Sequence, residues 1–287
     1  MKRLIGLLIL LLLSVLACAC AADTAQPSDS TAADPPPVTS PLRIYCLKLG
    51  DADCTLLCTD TELIVIDCGE SKHADRIAQA VSLLGFDAID LLILSHPDKD
   101  HIGAASALVE RGLVGKILQS SYDKGSDTQA RLKRAAAEAE VEMTDVKEIT
   151  VLPLSGLRIT LYPTLQTYRE EDASNEHSLG TLVEHGRVRL FFAGDGVGQR
   201  LVEMREQLRG VGEVDLMKIP HHGRYDNHSD LLIDALSPAH AIICAAASSP
   251  PDPRILTLLN RAGADHHLTA HGTVFMESDG NRLHVEE

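Results

Sequence analysis

Ser95-His96-Pro97-Asp98-Lys99-Asp100-His101 sets two histidines and two aspartates within six residues, directly behind the apolar run Leu91-Leu92-Ile93-Leu94. Carboxylates this close repel each other, and both resist leaving water, unless a cation neutralises them. The chemistry this density points to is a metal centre, with ligands enough for more than one ion. His96 and Asp98 lie two residues apart, so an extended backbone sends both to one side. Asp100 and His101 sit where the chain turns into a helix and can face a second ion. Pro97 stiffens the loop, and Gly103 lets the helix pack closely.

Two later loops repeat the arrangement of a polar cluster after an apolar strand. Gly194-Asp195-Gly196 follows Leu190-Phe191-Phe192-Ala193, and Pro220-His221-His222-Gly223 follows Leu216–Ile219. Loops at strand ends can converge on one cleft while the strands hold them still. The ligand set is oxygen and nitrogen without thiolate, which suits Zn²⁺ and Mn²⁺ alike.

The elements that must carry these loops are legible from periodicity. Short apolar runs at Ile44–Leu49, Thr55–Cys58 and Leu63–Ile66 read as strands, and Ala74–Leu84 has helical spacing at Ile77, Val81 and Leu84. Leu91–Leu94 reads as a buried strand, and Ile102–Arg111 as a helix stopped by Gly112. Strands are expected at Lys116–Gln119, Glu142–Val146 and Leu157–Tyr162, with a helix at Thr128–Glu140. Leu179–Glu184 and Val188–Ala193 form a hairpin. A helix at Gly198–Arg209 and a strand at Val214–Ile219 follow, then Ser229–Leu236 (helix), Ala241–Ala245 (strand) and Pro253–Ala262 (helix). The strands His267–Ala270 and Val274–Glu277 close the chain. Two mixed sheets packed face to face with helices outside satisfy this order.

The chain has 287 residues and a formal charge of −15, which disfavours a broad, non-specific grip on nucleic acid. Residues 1–20 read as a lipoprotein-type signal: Lys2 and Arg3, the apolar core Leu4–Leu13, then Val15-Leu16-Ala17-Cys18. Cys18 would be the lipidated N-terminus, anchoring the chain on the outer face of a bacterial membrane. Residues 21–41, rich in Pro, Ala and Ser, read as a tether, and 42–287 as one hydrolase domain. Five cysteines remain beyond the leader (Cys46, Cys54, Cys58, Cys68 and Cys244), and their odd number dictates no pairing. Lys124, Arg131, Lys133 and Arg134 read as an ordinary solvated helix face.

His-x-Asp-x-Asp-His, with Gly-Asp and His-His-Gly later in the chain, resembles the metallo-β-lactamase superfamily. It is most similar to the branch holding the nuclease-like domain of bacterial DNA-uptake (competence) proteins, where Asp stands at the place of Asp98 and other members carry His. Leu49-Gly50-Asp51-Ala52-Asp53-Cys54, Ile66-Asp67-Cys68-Gly69, Asn175-Glu176-His177-Ser178-Leu179 and Lys218-Ile219-Pro220-His221-His222-Gly223 carry the resemblance across the domain. Arg224 stands where relatives carry a small Ser.

The resemblance implies an αββα four-layer fold and two divalent ions, Zn²⁺ or Mn²⁺. His96 and Asp98 would bind one ion; Asp100, His101 and His221 the other; Asp195 would bridge them. The third ligand of the first site is His177 or Asn175. Asp67 would brace the ligand loop and Lys218 support the site from behind, while Asp51 and Asp53 read as turn residues near its rim. Asp100, His222 and His271 are the residues expected at the chemistry, with His271, His222 and Lys218 as candidate acids for the leaving group. The implied activity is phosphodiester hydrolysis by a hydroxide between the ions, on DNA or on a cell-wall polymer carrying teichoic-acid or phosphorylcholine linkages. Lactam or lactone hydrolysis and a non-catalytic binding module are the alternatives.

Overall fold

The computed structural model describes residues 34–154, 156–167 and 174–286. The expected signal and Cys18 lie outside these residues. The first half contributes β1 (Leu42–Cys46), β2 (Thr55–Cys58), β3 (Leu63–Ile66), β4 (Leu91–Leu94), β5 (Lys116–Ser120) and β6 (Glu142–Val146). Its helices are α1 (Ala74–Leu83), α2 (Lys99–Ile102), α3 (Ala105–Glu110) and α4 (Asp127–Glu138). The second half supplies β7 (Thr150–Leu154), β8 (Leu157–Tyr162), β9 (Gly180–His185), β10 (Val188–Phe192), β11 (Leu216–Lys218), β12 (His240–Ile243) and β13 (Asp265–Leu268). With them run α5 (Gln199–Gln207), α6 (Ser229–Leu236) and α7 (Pro253–Ala262), before β14 (Val274–Ser278) and β15 (Leu283–Glu286).

Among the described residues these strands form two sheets, ordered β15-β14-β1-β2-β3-β4-β5-β6 and β13-β12-β11-β10-β9-β8-β7. Each sheet is mixed: β3, β4, β5 and β6 run parallel, as do β10, β11, β12 and β13. Strand periodicity sorts the side chains into layers. On β4, Leu91 and Ile93 point into the core between the sheets, whereas Leu92 and Leu94 meet the core under α1 and α3. Burial on both faces is why β4 is an unbroken apolar run. A third core joins the second sheet to α5, α6 and α7 through Phe191, Met204, Met217, Leu232 and Leu259. The order of layers is therefore helix, sheet, sheet, helix, the αββα architecture expected.

Several elements differ from the sequence reading. The helix expected at Ile102–Arg111 starts earlier and divides into α2 and α3. At the bend, a Cβ on Gly103 would lie 2.7 Å from Glu70 Cα and from Ser71 N, so only glycine permits this approach. Strands β7 and β15 were not expected. Each pairs along one side only, and β7 carries Pro153, which weakens a strand signal and is tolerated at an edge. The compact unit begins at Asp34, ahead of Leu42. Arg158 Nη1 donates to the Asp34 carbonyl (2.8 Å) and His185 Nε2 to that of Ser40 (2.9 Å), so residues 34–40 lie against the domain. No helix among the described residues is long and apolar enough to cross a membrane.

Candidate metal centre

The turn after β3 and the loops after β4, β10, β11 and β12 leave the carboxyl ends of parallel strands, where open α/β sheets place their ligands. Their side chains meet in one cluster. Asp67, at φ 57°, accepts from the Ser95 backbone N–H (2.8 Å) and the Ser95 hydroxyl (2.7 Å), which pins the ligand loop to the turn after β3.

Three histidines share one orientation. His101 Nδ1 donates to Asp67 Oδ2 at 2.8 Å, and His222 Nδ1 to the Cys244 carbonyl at 2.9 Å. The Ser95 hydroxyl gives its proton to Asp67, so its oxygen accepts from His96 Nδ1 at 3.0 Å. Each ring therefore carries a proton on Nδ1 and turns Nε2 inward, as backing carboxylates and carbonyls impose on metal-binding imidazoles. All three Nε2 atoms are buried without a hydrogen-bond partner. Leaving such groups unsatisfied is costly, and a cation satisfies them.

Carboxylates face these nitrogens. Asp195 Oδ2 lies 3.3 Å from His101 Nε2 and 3.0 Å from His222 Nε2, and Asp100 Oδ2 lies 3.4 Å from His222 Nε2. Ligand atoms bonded at about 2.1 Å to one tetrahedral ion stand roughly 3.4 Å apart, so these spacings fit a single divalent cation. Asp100, His101, Asp195 and His222 all offer atoms within 4.8 Å of one another. Beside them the His96 ring packs at a tilt of 51° against His101, with centroids 4.1 Å apart, and its Nε2 lies 3.9 Å from Asp98 Oδ2. His96 and Asp98 thus form a second pair of candidate ligand groups beside the first cluster.

The electrostatics agree with that reading. Burial by itself would lower the His222 pKa, yet Asp195, Asp100 and Asp53 push it up to about 10. Burial is likewise overcome at His101, which Asp195, Asp67 and Asp53 hold well above the ordinary imidazole value. Asp195 runs the other way: burial would raise it, but His101, Lys218 and His222 hold it well below the carboxylate range. His96 drops to about 4 through burial and the neighbouring His101. Positive charge is drawn to the spot between these carboxylates, and a divalent ion supplies it while leaving the imidazoles neutral.

The structure rearranges several expectations. Of the His-His pair it is His222, not His221, that enters the cluster. His221 (φ 49°, ψ 47°) and His222 (φ 55°, ψ 24°) are consecutive left-handed residues, at roughly 1–2 kcal/mol each. That reversal carries the second ring inward, while His221 Nε2 accepts from Arg224 Nη1 at 3.1 Å. His271 is exposed, and no hydrogen bond or ion pair links its ring to the cluster. His177 stacks on Tyr122 with centroids 4.3 Å apart, and it stands outside the groups of converging ligand atoms. Asn175, on the same turn, has a buried Oδ1 without a hydrogen-bond partner. Asp98 Oδ1 accepts from Lys124 Nζ at 2.8 Å and from the Ser174 hydroxyl, so Lys124 belongs to the site margin and not only to a solvated helix face.

Two residues carry more than the sequence assigned them. Lys218 is buried, and its three N–H groups go to Asp53 Oδ2, Asp195 Oδ1 (3.2 Å) and the Gly194 carbonyl (2.9 Å). An ammonium with every proton so committed, held above its usual pKa by those carboxylates against the effect of burial, is not an acid for a leaving group. Asp53, read as a rim residue, is buried between Lys218 and His222. The signal available was Leu49-Gly50-Asp51-Ala52-Asp53: two aspartates in an otherwise apolar opening, of which Asp51 caps the Ala246 N–H (2.8 Å) and Asp53 turns inward.

Residues 47–247 match the Metallo-beta-lactamase superfamily. The chain belongs to that superfamily. Its fold is that of metal-dependent hydrolases whose members bind two divalent ions, and the cluster supplies candidate ligands for them. Over 201 residues the chain is 28% identical to ComE operon protein 3 of Bacillus subtilis (strain 168), covering 67% of this chain and 25% of that protein. Over 255 residues it is 23% identical to Recombination protein 2 of Haemophilus influenzae, covering 85% and 30% respectively. The chain thus spans about a quarter to a third of these competence-type relatives. The metallo-beta-lactamase fold protein YhfI of Bacillus subtilis superposes with a TM-score of 0.54 at 12% identity, covering 83% of this chain and 100% of that one, a likeness of fold.

Proposed function

We propose that this superfamily member is a phosphodiesterase working with two divalent ions, Zn²⁺ or Mn²⁺, on DNA or a cell-wall polymer outside the cell. The observation that carries the reading is the trio of buried Nε2 atoms of His96, His101 and His222, turned toward Asp98, Asp100 and Asp195. A binding module without chemistry has no use for such a costly arrangement. Phosphodiesters are favoured over lactams by the likeness to competence-type proteins and by Asp98, a hard oxygen ligand that also raises the odds of Mn²⁺.

Bound there, the two ions would polarise the phosphoryl group and strengthen water as a nucleophile. The chain's own part is preorganisation. Asp67, Ser95 and Cys244 set each imidazole's tautomer, and Lys218 holds Asp195 from behind. Asp98 and Asp100 stay partly open to solvent, the side from which a substrate would approach.

Export and lipidation at Cys18 form part of the same proposal, supported by the leader-like residues 1–20. Labelling of cells with radioactive palmitate should mark the chain, and Cys18→Ala should abolish the label. For the chemistry, purified chain supplied with Zn²⁺ or Mn²⁺ should hydrolyse bis(p-nitrophenyl) phosphate, and chelation or Asp100→Ala should stop it. A chain that holds two ions but leaves this diester, plasmid DNA and teichoic-acid fragments all intact would refute the reading. Faster turnover of one of the two polymers identifies the substrate.

A further inference from the structure

Arg224 follows directly on the turn that carries His222 inward. Its Nη1 donates to His221 Nε2 at 3.1 Å, and among the described residues no carboxylate pairs with it. In a chain of charge −15 this leaves an exposed guanidinium whose charge no ion pair cancels, two residues from a ring facing Asp100 and Asp195. Lys124, by contrast, is paired with Asp98 at 2.8 Å.

The backbone beneath Arg224 is fixed by its surroundings. The Arg224 N–H donates to the His221 carbonyl (2.8 Å), and the Asp252 N–H to that of Gly223 (2.9 Å). Gly223, at φ +75°, leaves no room for a Cβ, which would lie 2.7 Å from Pro251 Cβ. The Arg254 guanidinium covers the Tyr225 ring at 3.8 Å and is itself gripped by Asp252 through bonds of 3.0 and 2.7 Å. His221 N meets the Gly194 carbonyl at 3.4 Å, beside Asp195. A side chain held on such a backbone loses less freedom when it binds.

With Nη1 committed to His221, the Nε and Nη2 edge of the guanidinium remains, a planar fork that matches two oxygens at once. A phosphodiester presents two non-bridging oxygens sharing one negative charge. We propose that Arg224, tethered by His221, grips the non-bridging oxygens of the substrate phosphodiester and so sets specificity. His221 is then the tether that orients the fork. This inference rests on the phosphodiesterase reading above.

The test compares Arg224→Ser, Arg224→Lys and His221→Ala in the full metal-loaded chain. Arg224→Ser should lower kcat/KM on bis(p-nitrophenyl) phosphate about 10- to 100-fold, the range of a charge-assisted bidentate contact, chiefly through KM. Arg224→Lys should recover part of the loss, and His221→Ala should show a smaller loss, both with wild-type metal content. Diphenyl phosphate, used as a binding probe, should lose affinity in the same order. Unchanged KM and unchanged diphenyl phosphate affinity in Arg224→Ser overturn the proposal. So does a loss tracking lost metal or lost folding in all three variants, which marks the contact as structural. If the wild type binds diphenyl phosphate through Arg224 yet cleaves no diester, the phosphodiesterase reading fails and the anion site stands; if it does neither, both fall. Competition by a thymidine dinucleotide and by a glycerol-phosphate dimer then distinguishes nucleic acid from wall polymer.

Discussion

Lys218 donates to Asp195 Oδ1 at 3.2 Å, so Asp195 meets His101 and His222 with Oδ2 alone. One oxygen of the carboxylate is held by Lys218, and the other faces the two imidazoles. The same ammonium joins Asp53 to Asp195, two buried carboxylates that would otherwise repel each other across the base of the cluster.

Removing Lys218 therefore leaves two buried carboxylates without their cation. Lys218→Met should destabilise the fold by about 3–5 kcal/mol, the usual result of breaking a buried ion pair from one side. Urea unfolding of wild type and variant measures it, and a difference under about 1 kcal/mol would show that Lys218 is not what holds Asp53 and Asp195 together.

The two neighbouring histidines should behave differently. His222→Ala removes an inward Nε2 and should lower bound metal by about one ion per chain and abolish turnover. His221→Ala removes a ring whose partner is Arg224, so both ions should remain. Elemental analysis of the two variants decides it; equal metal loss in both would count against the allocation.

Stability against pH should be dome-shaped once a chelator has stripped the chain. His222, raised to about 10, contributes stability that is full below the unfolded value of about 6.5 and is lost as pH climbs through 10. His96, lowered to about 4, acts on the other side: between about 6.5 and 4 the unfolded chain takes up a proton that the folded chain refuses, so stability falls with pH. Asp195, held low, adds to the acid loss. Melting temperatures should peak near pH 6.5, and Zn²⁺ should remove the alkaline fall because its imidazole ligands are already neutral. A melting temperature that climbs steadily from pH 6.5 to 10 in the stripped chain contradicts the assignment.

Asp98→His restores the imidazole that other members carry, so it should shift preference from Mn²⁺ toward Zn²⁺. Competition between the two ions, read by elemental analysis, should show the Zn²⁺ fraction rising several-fold. No change in the ratio would mean that Asp98 is not a ligand.

Much of this molecule is written locally. Unbroken runs such as Leu91–Leu94, short and bounded by polar residues, read as strands covered on both faces, and Asp252, Pro253 and Gly263 delimit α7 by the capping rules of any helix. The polar loops behind those strands point to a metal centre because a cation relieves the repulsion among so many neighbouring carboxylates. Strands β7 and β15 escaped because edge strands bury only part of one face, which leaves a weak period. Which of His221 and His222 faces the cluster could not be read from the chain. Adjacent residues differ only by backbone torsion, and their left-handed pair is sustained by packing around Gly223 and Pro251, far apart in sequence. Asp53 and Lys218 reveal their roles for the same reason: residues 165 positions apart become a buried ion pair only when two sheets close over them. Residue types dictate what chemistry is available, while burial and torsion, which belong to the assembled fold, decide which atoms perform it.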